Sequence, residues 1–187
     1  MGFLSGVRGT DSGFDDYDTF DPAHLPAPGP FLEGHEVLTG RAHAAFHRLT
    51  RTLFEERGVY DATFGYNLAR LNLDRRHPDA GFRYAVERDA TAEARSDAGD
   101  RRVLRASFVP TTAFCPQSDA LTRGAFRAWN DLADRHEYDL VRVRVGETHD
   151  QSPAINGRLA QIERGYRETG SVPAAVETAE DPGQEPS

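Results

Sequence analysis

Two apolar-patterned runs constrain this chain more than any other feature. "RVLRASFVP" (102–110) reads as a strand that stops at Pro110, and "DLVRVRVG" (139–146) alternates Val141, Val143 and Val145 against Arg142 and Arg144. Period-two alternation marks a half-buried strand. The stretch between them carries Leu121, Ala125, Trp129 and Leu132 at helical spacing and predicts a helix over about 116–135. A strand, a helix and a strand in this order predict a right-handed parallel crossover, with both strands pointing the same way in one sheet.

The rest of the middle adds to this unit. Thr39-Gly40 opens a predicted helix whose apolar stripe is Ala42, Ala45, Phe46, Leu49 and Leu53, with Gly58 at the expected stop. "LARLNL" alternates Ala69, Leu71 and Leu73 and reads as extended, and "FRYAVER" alternates Phe82, Tyr84 and Val86 as a half-buried strand. "DATAEARSDAGD" reads as a polar loop. The last helix is predicted from the Ser152-Pro153 cap signal, with Ile155, Leu159, Ile162 and Tyr166 as its buried stripe. The predicted fold is a small α/β (α+β) domain in the order α-β-β-α-β-α. It has a three- to four-stranded mixed sheet with helices on one face. The domain is expected over 37–168, between a disordered acidic N-terminal arm (1–36) and a disordered C-terminal tail (169–187).

Composition narrows the function. The formal net charge is −8, and all 22 basic Lys/Arg positions are arginine. This pattern fits a proteome adapted to high intracellular salt, or a genome that favours arginine codons. An acidic balance argues against a nucleic-acid partner, which needs a basic footprint. No stretch approaches the roughly 20 apolar residues of a membrane span, and "MGFLSGVRGTDSGFDDYD" lacks the pattern of a secretory signal, so a cytoplasmic location is expected. The single cysteine excludes an internal disulfide framework and a metal cage built from the cysteines of one chain. P-loop, GxGxxG, HExxH and zinc-finger spacings are all missing.

The candidate chemistry lies in two loops. Cys115, in "FVPTTAFCPQSDAL", falls between a strand end and a helix start, where backbone N–H groups and the helix dipole favour a thiolate. It reads either as a reactive or metal-binding thiol or as a small residue sealing a strand–helix corner. His149, in "ETHDQSPAINGRLAQIERGY", occupies the equivalent loop after the next strand, and reads either as an exposed ligand or as a loop residue that helps cap the last helix. If the strands are parallel neighbours, both loops open at the end of the sheet where α/β sheets place their sites. Sulfur beside imidazole suits iron or zinc. The pair also reads as nucleophile and base, with Asn156 or Asp150 as orienting group, although no protease or transferase signature surrounds the cysteine. Arg142, Arg144 and "DLADRHEYD" read as surface, and Trp129 as core.

Together the two stretches resemble the iron–sulfur cluster assembly (FSCA) domain family, which includes SufT, the PaaD-type proteins and, as the closest pattern, the small subunit of the cytosolic iron–sulfur targeting complex. Pro110-Thr111, three residues and then Cys115 match one motif. Gly146, Thr148, His149, Ile155-Asn156, Leu159 and Glu163-Arg164 match the other. Departures are the extra Glu147, Ser152-Pro153 in place of two acidic residues, Ala62-Thr63 after Tyr60-Asp61 where the family carries Asp-Pro-Glu, and a long polar insertion before "RVLRASFVP". The resemblance covers about 59–168. It implies a non-catalytic factor in iron–sulfur protein maturation, an adaptor or transient carrier acting through Cys115 and His149. Thr148 and Asn156 would lie beside that pair, and Pro110, Thr111 and Glu163 would support it. It implies a transient iron–sulfur cluster as cargo, with Cys115 and His149 as metal donors. One cysteine per chain requires donors from a second chain, hence a homodimer or hetero-complex with iron–sulfur assembly proteins and apo-protein clients. A fold-related interaction module without a metal role, and a Cys115/His149 nucleophilic enzyme, are the alternatives.

Overall fold

The computed structural model describes residues 13–88 and 102–172. Strand β1 (Glu36–Val37) leads into helix α1 (Gly40–Arg57) and the hairpin β2 (Tyr60–Asp61)–β3 (Tyr66–Asn67). Strands β4 (Gly81–Val86) and β5 (Val103–Val109) follow, then α2 (Ser118–Asp131), β6 (Leu140–Val145) and α3 (Ser152–Thr169). The main sheet has the order β1-β4-β5-β6. Its β4–β5 pair is antiparallel and its β5–β6 pair parallel, with Phe108 opposite Val145 at the C-terminal end. The expected α/β class and mixed four-stranded sheet are what the chain adopts; the expected order α-β-β-α-β-α is that of α1, β4, β5, α2, β6 and α3, to which the chain adds β1 ahead of α1 and the β2–β3 hairpin after it.

Alternation on the strands sets the core. Phe82 and Tyr84, Leu104, Ala106 and Phe108, and Val141, Val143 and Val145 are buried against the helices. Leu121, Ala125 and Trp129 from α2 and Ile155, Leu159 and Ile162 from α3 close over them. Trp129 is fully buried, and its indole N–H donates to Thr50 Oγ1 on α1 at 3.1 Å. Gly58 ends α1 in the left-handed region (φ 71°), as a glycine C-cap does, and its N–H bonds the last helical carbonyls.

Several expectations are corrected. Helix α1 buries His43, Phe46, His47, Thr50, Leu53 and Phe54, whereas Ala42 and Ala45 face solvent. Polar side chains can sit in that stripe because they are bonded: His47 Nε2–H donates to Ala69 O at 2.7 Å and Nδ1 accepts from the Tyr84 hydroxyl at 2.5 Å. "LARLNL" is a 3-10 helix (Leu68–Leu73) rather than extended. The Asn67 side chain caps it at Ala69 N–H, and every residue except Arg70 is buried, so its alternation was not a strand's period. Gly81 needs to be glycine: its φ is 122°, and a Cβ there would stand 2.2 Å from Asn72 Oδ1, whose amide clasps Phe82 N–H and C=O. Helix α2 is shorter than expected, with a 3-10 turn (Ala133–Arg135) after it; Tyr138 beyond that turn is buried and not part of a solvated end. Ser152 is the first residue of α3 and does not cap it; the cap position is Gln151.

The segment read as a disordered arm up to 36 is packed from residue 13 onward. Leu25 and Leu32 are buried, Phe14 bridges Asp74, and a 3-10 turn (Pro30–Leu32) packs on β5. Tyr17 and Phe20 of this strap pack on His47 and His43 of α1, and its 26–32 part lies on the sheet face opposite the helices. Its proline-rich backbone has few donors but free carbonyls, and the outward arginines use them. Arg83 donates to Pro26 O at 2.9 Å and Arg105 to Phe31 O at 2.8 Å. The expected polar loop lies almost entirely outside the described residues, as do residues 1–12 and 173–187. Among the described residues no helix is long and apolar enough to cross a membrane.

Candidate functional site

The parallel pairing of β5 and β6 brings their two following loops together at one end of the sheet, as the sequence leads one to expect. Gly146 N–H donates to Phe108 O at 2.8 Å, which continues the ladder one step past the strands. Asp150 N–H then reaches across to Ala113 O at 2.9 Å. His149 completes the junction. Its Nδ1 accepts from Gln151 N–H at 2.9 Å, so the proton sits on Nε2, which donates to the Cys115 carbonyl at 2.9 Å. His149 is buried, not exposed, at 4%.

This geometry separates the roles of the two residues. Both nitrogens of His149 are committed to backbone, so in this state it clamps the cysteine loop to the loop before α3. The nitrogen on the Cys115 side bonds the carbonyl and not the sulfur, and so does not stand as a base for the thiol. Asn156, one of the two expected orienting groups, is committed elsewhere: Oδ1 accepts from Val145 N–H at 2.7 Å and Nδ2 donates to Val145 O at 3.0 Å. It acts as one extra strand residue at the sheet edge and anchors α3 to β6.

Cys115 remains half-buried, in a cleft of about 370 Å³ with Phe114, Asp119, His149, Ile155 and Arg158 in its lining. It sits in a turn three residues ahead of α2 rather than at the helix start, and its carbonyl also accepts from Ser118 N–H. Phe114, its neighbour, is 74% exposed. The sequence reading missed that ring, although a large apolar residue beside a loop cysteine was the available signal. A third segment also meets this loop. Gln117 accepts from Ala62 N–H at 3.0 Å and donates to Thr63 Oγ1 at 2.6 Å, which ties the β2–β3 hairpin to the start of α2. Asp61 shapes that hairpin by accepting from Thr63 and Phe64 N–H. The 60–63 stretch thus borders the cysteine loop.

The remaining predicted residues fall around this junction. Pro110 is buried and Thr111 half-buried at the exit of β5, and Thr148 is exposed on the β6 side. Glu163 is buried on α3, between Arg144 (3.0 Å) and Arg142. Those two arginines are therefore not free surface. Arg142 and Arg105 also share Glu87. Among the described residues no cluster of three or more His, Cys, Asp or Glu side chains is placed to hold a metal ion.

The fold and junction define a small α/β domain that presents a thiol at the C-terminal end of a parallel strand pair. Residues 12–173 match the family model described as a domain of unknown function (DUF7998), and the chain belongs to that family. No curated protein and no solved structure matches it.

Proposed function

We propose that this protein is a non-catalytic factor in iron–sulfur protein maturation of the FSCA type, acting in the cytoplasm with Cys115 as its working group. The observation that carries the reading is the junction itself. A half-buried cysteine stands on a loop whose carbonyl is pinned by His149 from the parallel neighbour's loop, at the end of an α-β-β-α-β-α fold. Pinning a loop by its backbone leaves the thiol sulfur available while fixing where it is presented. The cargo is an iron–sulfur cluster, or the apo-protein that receives one. One cysteine per chain supplies one thiolate, so any held cluster takes its other donors from a second copy or from a partner. His149 positions the loop in the state described here, and becomes a donor only if the Cys115 carbonyl lets go of it. Exposed Phe114 beside the cysteine suits contact with such a partner.

A test in cells is direct. In a host lacking this protein, iron–sulfur enzyme activity should be restored by the wild type and not by Cys115→Ala. Full restoration by Cys115→Ala would overturn the reading. The interaction-module alternative draws on one specific observation: both ring nitrogens of His149 are spent on backbone bonds, which serves a structural loop equally well.

A further inference from the structure

The largest of the described clefts is not the one at Cys115. It measures about 820 Å³ and lies between the proline strap and the outer face of the sheet. That is within the roughly 300–1,000 Å³ range of small-molecule sites. One wall is strap, with Pro28 and Phe31; the opposite wall is Arg105, Ser107 and Val109 of β5 with Arg144 of β6. Neither Cys115 nor His149 belongs to it, so the inference stands apart from the function proposed above.

Its charge is unusual for this chain. The outer face carries four arginines, Arg83, Arg105, Arg142 and Arg144, whose carboxylate partners among the described residues are Glu87 and Glu163. The shielded layer of this face thus holds two more arginines than carboxylates, and the exposed Asp79 and Glu147 offset them only at the rim of the cleft. Both cleft arginines are mostly shielded, at 23% and 18% side-chain exposure, which strengthens their pull on an anion relative to open solvent. The acidic members of the lining, Asp79 and Glu147, are exposed and correspondingly screened. Arg105 Nε is buried and has no acceptor among the described residues. A buried donor without an acceptor is unfavourable, and a bound oxyanion would supply the acceptor. Phe31 places its ring 4.7 Å from the Arg105 guanidinium and 5.4 Å from that of Arg144, so apolar and cationic surfaces meet at one point.

We infer that this cleft is a binding site for an amphipathic organic anion, its carboxylate or phosphate head on Arg105 and Arg144 and its apolar body between Phe31 and Val109. The experiment uses the full chain and titrates it with octanoate, octyl phosphate, 1-octanol and octylammonium, followed by calorimetry and by NMR. Saturable binding of one or both anions is expected, at least tenfold tighter than of the alcohol or the amine. The resonances of Val109, Ser107 and Phe31 should move. Preference between the two anions would identify the head group. Arg144→Gln should weaken anion binding at least tenfold, and Val109→Asp, which sets a carboxylate in the place of the apolar body and beside the arginines, should do the same. Equal binding of octanoate and 1-octanol, shifts confined to residues outside the cleft, or no saturable anion binding by the wild type would each overturn the proposal.

Discussion

Cys115 and His149 meet through a backbone carbonyl and not through their reactive atoms, and this decides how each should respond to mutation. Removing the imidazole in His149→Ala leaves the Cys115 carbonyl without its side-chain donor and Gln151 N–H without its acceptor, both close to buried surface. At roughly 1 kcal/mol per lost bond, and more where a buried group is left unsatisfied, the expected loss is about 2–3 kcal/mol in denaturant unfolding. With its clamp gone the cysteine loop should open more often, and alkylation of Cys115 should speed up several-fold. Unchanged alkylation would mean the clamp does not restrain the thiol. The positions of these two residues were legible in the sequence, because parallel strands carry their following loops to the same end. The burial of His149 was not, since its partner is a carbonyl 34 residues away, to which any residue type at that position would contribute the same group.

Among the elements, α1 was legible in its extent but not in its face. Its buried stripe contains two histidines, which a hydrophobic pattern passes over, and tertiary partners decide that they go inside. His43 and His47 stack with a 5.6 Å centroid separation against Tyr84, with Tyr17, Phe20 and Arg83 as further neighbours. Burial pushes His43 from an ordinary 6.5 down to about 3, and the adjacent His47 and Arg83 add to the shift. Burial likewise takes His47 to about 4, against the opposing effect of the Ala69 carbonyl. A depressed folded-state value means that the unfolded chain binds protons first as the pH falls. Stability is therefore complete above about 6.5 and declines below it, with a slope approaching two protons, or roughly 1.4 kcal/mol per pH unit for each histidine. The depressed carboxylates Glu87 and Asp74 begin to contribute only below their ordinary values of 4.5 and 3.8. Urea unfolding between about pH 5 and 7 thus isolates the histidines. His35, lowered by its own burial and by Arg105, adds to the slope in that window, so His43→Phe should remove about one proton's worth of it, and a flat profile in the wild type would contradict the burial of both rings.

At the scale of the whole molecule, the sheet and its three helices follow from periodicity, whereas the second layer over the sheet does not. The strap from residue 13 to Leu32 reads as disordered because it lacks any period, yet it is held by partners distant in sequence: Arg83, Arg105 and Asp74 all lie far along the chain. Glu87 and Glu163, equally distant in sequence, turn Arg142 and Arg144 from apparent surface into an ion-paired layer, with Phe31 over Arg144. Among the clefts of the described residues, two stand apart from each other: a thiol-bearing junction at the strand ends and an arginine-lined cleft beneath the strap. The proposed role in iron–sulfur maturation rests on the first of them. Its most direct test is affinity co-purification from the native host, without oxygen and at high salt, comparing wild type with Cys115→Ala. Bound iron and co-purifying proteins would be quantified together. Iron–sulfur proteins or their assembly scaffolds should accompany the wild type and be lost with the mutant. Recovery of the same partners by both forms, with no iron on either, would contradict a role for Cys115 in iron–sulfur maturation.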